Sequence, residues 1–202
     1  VHKAEQTTLE RPGFLSKDGL TAAEMGTALH AFLEHADFAR LAAAKAAGTL
    51  DEAIPAERDR QVAVQLTAPE IAEKLDAVCI RRFVESEAFA KICAAQQVLR
   101  ELAFITALPA AEVLAAQGSP APDTAPEAQV LVQGIADLVL VYPDHLELLD
   151  YKTDRRKTAA DFVQAYKPQL DLYALAVGKR FAPKPVTYKG IYSLELGRLI
   201  EV

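Results

Sequence analysis

Gln129-Val-Leu-Val-Gln-Gly-Ile-Ala-Asp-Leu-Val-Leu-Val-Tyr142 and His145-Leu-Glu-Leu-Leu-Asp-Tyr-Lys-Thr153, parted by Pro143-Asp144, decide how this chain folds. Both runs are dense in β-branched and apolar residues, and a Pro-Asp pair between them is turn chemistry, so they predict a hairpin. If Tyr142 pairs with His145 across the turn, Asp137 falls directly opposite Asp150. Alternation then puts Ile135, Val139 and Val141 on the same face as Leu146, Leu148 and Lys152. Directly opposed carboxylates repel and need compensation. A hard divalent cation such as Mg²⁺ supplies it and keeps waters for chemistry. Alternatively, Lys152 neutralises the pair, or an Asp side chain reaches solvent at the sheet edge. A bulge would put the two Asp on opposite faces.

Upstream, Thr21-Ala-Ala-Glu24 reads as a capping box opening a helix from about Ala22 to Ala47, with Leu29, Phe32, Leu33 and Ala36 on one apolar face and Gly48 as its stop. Pro69 opens a second helical stretch carrying Ile71, Leu75, Val78, Cys79, Arg82 and Phe83, and Ser86 caps a third through Ala95. Gln97 to Leu108 reads as a strand. Gly118-Ser-Pro-Ala-Pro-Asp-Thr-Ala-Pro126, within about 116–128, reads as a flexible loop inside one domain. Downstream, a helix is expected from about Ala160 to Val177, ending at Gly178, and a strand from Val186 to Leu194. The order predicts a mixed α/β domain over 1–202, with a helical part over about 1–96 and an αβ core over about 97–202, its sheet covered on both sides.

The 202 residues include 51% hydrophobic and 25% charged residues, which suits a globular domain and excludes disordered and fibrous classes. No apolar run reaches membrane-span length and the N-terminal residues are polar, so a soluble, cytoplasmic protein without membrane contact is expected. Cys79 and Cys93 supply neither a disulfide framework nor a four-ligand metal site, and are expected to be buried free thiols. A formal charge of −6 argues against nucleic-acid binding by overall charge; such binding must be local or helped by cations. The chain starts at Val1, which is expected of a piece excised from something longer.

Gly134-Ile-Ala-Asp137 followed by Asp150-Tyr-Lys152-Thr-Asp154 resembles the active-site hairpin of the PD-(D/E)XK nucleases in the form used by the RecB family. Gly26-Thr-Ala-Leu-His30 resembles that family's helical G-x-x-x-H, Arg100-Glu101-Leu-Ala-Phe104 its first-strand R-E-x-x-F, and Gln169-Leu-Asp-Leu-Tyr173 its Q-L-x-x-Y. The four segments keep the family's order over residues 26 to 173. Together with Arg11-Pro-Gly-Phe-Leu and Thr21 to His30, they look most like the C-terminal nuclease domain of AddA-type helicase-nuclease subunits.

The resemblance implies a restriction-endonuclease-like core and hydrolysis of DNA phosphodiester bonds as an exonuclease in recombinational repair. Its implied partners are DNA, the helicase portion of the same parent chain and a second subunit. It implies that His30, Asp137, Asp150 and the backbone carbonyl of Tyr151 hold Mg²⁺ or Mn²⁺. Lys152 would act on the attacking water and the phosphate, and Gln169 and Tyr173, four apart on one helical face, would line the cleft. Tyr173 could instead be core packing. Glu101 could serve the site or simply pair with Arg100 or another base. Arg155, Arg156 and Lys157 form a solvated run or contact phosphates, and His2, His35 and His145 receive no role. A catalytically dead nuclease fold is the other reading; against it stands the full set His30, Asp137, Asp150 and Lys152. An exonuclease of the iron–sulfur branch would need four cysteines.

Overall fold

The computed structural model describes residues 22–120, 127–155 and 157–202. Among these, five strands form one sheet in the order β1 (Gln97–Pro109), β2 (Gln129–Val141), β3 (Leu146–Lys152), β4 (Val186–Ser193) and β5 (Arg198–Glu201). Neighbours are antiparallel except β3 and β4, which run parallel. A parallel pair needs a crossover, and the long helix α8 (Ala159–Arg180) provides it. Its start is a capping box, in which Asp161 accepts from the Thr158 N–H at 2.7 Å and Thr158 accepts from the Asp161 N–H at 3.3 Å.

The helical first half forms a layer of its own. α1 (Ala22–His35) does not run on to Ala47 as its periodicity predicts: the Asp37 carboxylate accepts from the Arg40 N–H at 3.0 Å and caps a separate helix, α2 (Phe38–Ala47). A side chain able to cap the backbone offers a competing route out of the helix, which periodicity alone does not register. α2 stops at Gly48, whose φ of +74° is the left-handed end expected of it. The sequence pattern leaves α3 (Leu50–Ala63) unassigned because Pro55 lies inside it. The Pro69 stretch divides into α4 (Pro69–Ala72) and α5 (Ala77–Glu85), the latter capped by Asp76, and Ser86 caps α6 (Glu87–Ala94) as expected. A short α7 (Ala110–Ala116) follows β1. The capping residue Thr21 and the segment 11–15 lie outside the described residues, as do 121–126 of the loop.

Two cores flank the sheet. Phe32, Leu33, Ile80, Phe83 and Phe89 from the N-terminal helices bury against Leu138, Leu140, Leu149 and Tyr151. On the other face Phe162, Leu170, Ala176 and Val177 of α8 bury against Val139, Val141, Leu146, Leu148 and Ile191. This is the helix-covered α/β architecture expected of the sequence. α8 continues past Gly178 to Arg180 because its last turn is tied to the edge strand: Lys179 Nζ donates to Ala107 O at 2.7 Å and Arg180 to Ala103 O at 2.9 Å. Of the two cysteines, Cys79 is buried and burial pushes its thiol up to about 11, whereas Cys93 is exposed, contrary to expectation. It lies in the last turn of the short α6, on the side turned away from the core residues Phe89 and Ile92. Among the described residues no helix is long and apolar enough to cross a membrane.

Candidate active site and metal centre

The hairpin pairs in the register expected, Leu138 with Leu149 through Val141 with Leu146, and Tyr142 N–H donates to His145 O at 3.0 Å. The ladder then stops one pair short of the two aspartates. Where Asp137 would pair through its backbone with β3, its carboxylate instead accepts from the Tyr151 N–H at 2.8 Å. Strand alternation breaks at this level. Leu138 and Leu140 face the helical layer and Val139 and Val141 face α8, yet Ala136 and Val132 also face α8. Opposite Asp137 on β1, Glu101 sits at φ +46°, in the left-handed region that costs a non-glycine residue energy. There too the phase changes: Arg100 reaches the helical layer, whereas Leu102 and Phe104 pack toward α8. Ile135 is consequently 51% exposed and does not share the face of Val139 and Val141 as alternation predicts. The constant register on both sides of Glu101 and Asp137 hides this twist from any count of residues.

The break opens the sheet between β2 and β3, and functional side chains enter from both faces. His30, on α1, places Nδ1 3.7 Å from Asp137 Oδ2 and its ring edge-on to Tyr151, with centroids 5.6 Å apart. His30, Glu101 and Asp137 each bring one candidate ligand atom within 4.8 Å of the others. Asp150 and Lys152 come from the α8 side, with Lys152 Nζ 2.6 Å from Asp150 Oδ2. That contact is ionic, and Oδ2 is buried without an aligned hydrogen-bond donor.

Burial, reinforced by the Asp137 charge and opposed by Lys152, pushes the Asp150 carboxyl up to about 6. Burial and then Asp137 raise Glu101 as well. His30 is held below its ordinary value by burial, which outweighs the pull of Asp137, so it is a neutral lone-pair donor at pH 7. Burial disfavours the Lys152 charge, but Asp150 and Asp137 outweigh it and raise the ammonium. It is therefore a cation at neutral pH and no proton acceptor. Three carboxylates crowd one cation, and a buried carboxylate oxygen lacks a donor. An imidazole with several carboxylate oxygens is a donor set that Mg²⁺ and Mn²⁺ take well, so these residues fit the cation that the sequence implies.

Other motif residues position this cluster. A Cβ on Gly26 would lie 2.5 Å from Thr153 Oγ1, so glycine lets α1 close onto the end of β3. A Cβ on Gly134 would lie 2.8 Å from Phe104 and 2.9 Å from Tyr173, whose rings meet edge-on at 5.0 Å. Tyr173 thus packs over β1 and β2, and Gln169 lies half-buried one turn earlier on α8. Arg100 does not pair with Glu101. It donates to Glu34 O and Ala36 O at 2.7 Å each and to Leu33 O at 3.4 Å, with its guanidinium 3.8 Å above the Phe38 ring. Gln61 and Arg60 of α3 take Phe32 O at 3.0 Å and His35 O at 2.7 Å. The helix that carries His30 thereby has its terminal carbonyls satisfied by side chains.

His145 stacks on Tyr142 and contacts Asp144, and His35 contacts Glu34, both away from the cluster. Arg155 is exposed, 4.0 Å from Glu195, Lys157 pairs with Asp154 at 2.8 Å, and Arg156 and His2 lie outside the described residues.

Residues 4–197 match the family model of the PD-(D/E)XK nuclease superfamily. The chain is similar to proteins named as AddA-type subunits of an ATP-dependent helicase/nuclease: 35% identical in Heliobacterium modesticaldum over 93% of this chain and 13% of that protein, 39% in Moorella thermoacetica over 88% and 12%, and 33% in Geobacillus kaustophilus over 95% and 15%. It spans about one seventh of the length of such relatives. With a family match over nearly its whole length, this chain belongs to the PD-(D/E)XK nuclease superfamily.

Proposed function

We propose that this nuclease-family chain hydrolyses DNA phosphodiester bonds with Mg²⁺ or Mn²⁺, as the nuclease part of a helicase-nuclease acting in double-strand break repair. The observation that carries the reading is the convergence of His30, Glu101 and Asp137 where β2 leaves β3, beside the buried and donor-less Asp150 Oδ2. His30, Asp137, Asp150 and the Tyr151 carbonyl would hold the cation, and Glu101 joins them because its carboxylate lies within the same 4.8 Å group. A bound divalent cation supplies Lewis acidity and lowers the pKa of a coordinated water.

The chain's own side chains supply the rest. Lys152 carries positive charge to the phosphate as negative charge builds on it and orients the attacking water. Gln169 and Tyr173 line the α8 wall of the cleft. The acidic chain surface suits a strand delivered by a helicase rather than one captured by overall charge. The names of the relatives support the placement in such an assembly, where the partners are DNA, the helicase part of the same polypeptide and a second subunit.

Calorimetric Mn²⁺ titration of Asp150→Asn, set beside wild type, tests the site. Replacing a charged ligand by a neutral amide is expected to weaken binding at least about tenfold, equivalent to about 1.4 kcal/mol. Unchanged affinity would leave Asp150 as the ion-pair partner of Lys152 and nothing more. Cleavage of linear single- and double-stranded DNA by wild type should require added Mg²⁺ or Mn²⁺ and stop in EDTA. No cleavage under any cation would favour the inactive nuclease fold.

A further inference from the structure

We infer that Tyr166 is a positioning residue for Lys152: its ring face holds the lysine ammonium at the site, and Asp154 fixes the orientation of that ring. This rests on the reading of Lys152 as the cation that acts on the phosphate. Lys152 Nζ lies 4.7 Å from the centroid of the Tyr166 ring. The Tyr166 hydroxyl donates to Asp154 Oδ2 at 2.7 Å and accepts from Lys157 Nζ at 3.4 Å, and Lys157 in turn pairs with Asp154 at 2.8 Å. Asp154 lies two residues beyond Lys152 on the segment leaving β3, so the clasp ties the end of that strand to α8. Tyr166 precedes Gln169 by three residues and Tyr173 by seven, which puts all three on one face of the helix.

The physical need for such a clasp follows from the side chain it holds. A lysine head on a four-carbon stem has many rotamers, and Asp150 Oδ2 at 2.6 Å is its other strong attraction. A salt bridge alone fixes the ammonium only while Asp150 has charge to offer it. If Asp150 is engaged by a cation, the electron-rich ring face remains as the contact that keeps Nζ from swinging out to solvent. Phenolic oxygen and carboxylate form a short, charge-assisted hydrogen bond, which sets the ring plane independently of the cation's presence.

Two substitutions separate ring from hydroxyl. Tyr166→Leu removes both; Tyr166→Phe keeps the face and loses only the Asp154 bond. A cation–π contact of ordinary strength predicts a roughly tenfold fall in kcat for Tyr166→Leu, with KM for DNA and Mn²⁺ affinity unmoved, and a fall of less than about threefold for Tyr166→Phe. A readout that does not depend on cleavage is the ring current. In Lys-selectively labelled protein the ε-methylene resonance of Lys152 should lie upfield of the other lysines in wild type and in Tyr166→Phe, and return to the ordinary position in Tyr166→Leu. An unshifted Lys152 resonance, wild-type kcat in Tyr166→Leu, or equal losses in the two variants would each overturn the inference. If the resonance behaves as expected but wild type cleaves nothing, the contact stands and the nuclease reading fails.

Discussion

Lys152→Ala should keep its fold and most of its Mn²⁺ affinity while cutting DNA at no more than about one hundredth of the wild-type rate. A preorganised cation aimed at developing phosphate charge contributes on the order of 3 kcal/mol to the barrier, which converts to roughly that factor. The cost to stability is limited by the state of its partner. Asp150 already titrates near 6 because of burial and the neighbouring Asp137, and Lys152 is a group that pulls it down. Without the lysine the carboxyl moves further up and is buried as the neutral acid, which is far cheaper than burying an unpaired charge. If Lys152 served solely to compensate Asp137 and Asp150, its loss would lower the melting temperature strongly and added Mg²⁺ would restore it. Thermal melts with and without Mg²⁺, beside a single-turnover nuclease assay on the same preparation, separate these roles. Cleavage at the wild-type rate would remove Lys152 from the mechanism.

Arg100→Met should destabilise the protein by about 3 kcal/mol, and in a domain of this size that lowers the melting temperature by about 6–12 °C. The methionine keeps an apolar stem over Phe38 but leaves Glu34 O and Ala36 O, each 2.7 Å from the guanidinium, without that donor. Hydrogen bonds from a charged donor contribute about 1.5–3 kcal/mol each, and the stacking of guanidinium on Phe38 adds to them. Arg100→Lys should recover only part, since an ammonium cannot span two carbonyls and a ring in one plane. Because the lost bonds fix the end of α1, Mn²⁺ binding through His30 should weaken at temperatures where the variant is still folded. Calorimetric melts of the three proteins provide the check, and a variant as stable as wild type would show that the clamp is incidental.

Arg100 also illustrates what a sequence can and cannot reveal. Its place in the R-E-x-x-F motif is legible, but its partners are main-chain carbonyls 64 to 67 residues earlier, and main-chain atoms leave no mark in a sequence. The hairpin register is legible because Pro143-Asp144 fixes the turn and alternation does the rest. The departure comes where alternation itself fails, at Glu101 and Asp137, since a residue in the left-handed region flips the following side chains without adding or removing a residue. The single helix expected over 22–47 breaks at Asp37 for a different reason, a side-chain cap competing with the helix. Tyr166 carries a sequence signal after all: it lies three residues before Gln169 on the same helix face, behind a Lys-Thr-Asp that ends the active-site strand. Glu101 joins the cluster geometrically, where its motif position alone leaves its task open.

Hydrolysis by this chain requires a cation bound where the sheet opens. A crystal structure of the protein soaked in Mn²⁺, with anomalous data, tests this most directly. The expected result is a strong manganese peak bounded by His30, Asp137 and Asp150, with Glu101 at its edge and Lys152 resting against Tyr166. A cluster without manganese, or manganese bound elsewhere while Lys152 stays paired to Asp150, would contradict it.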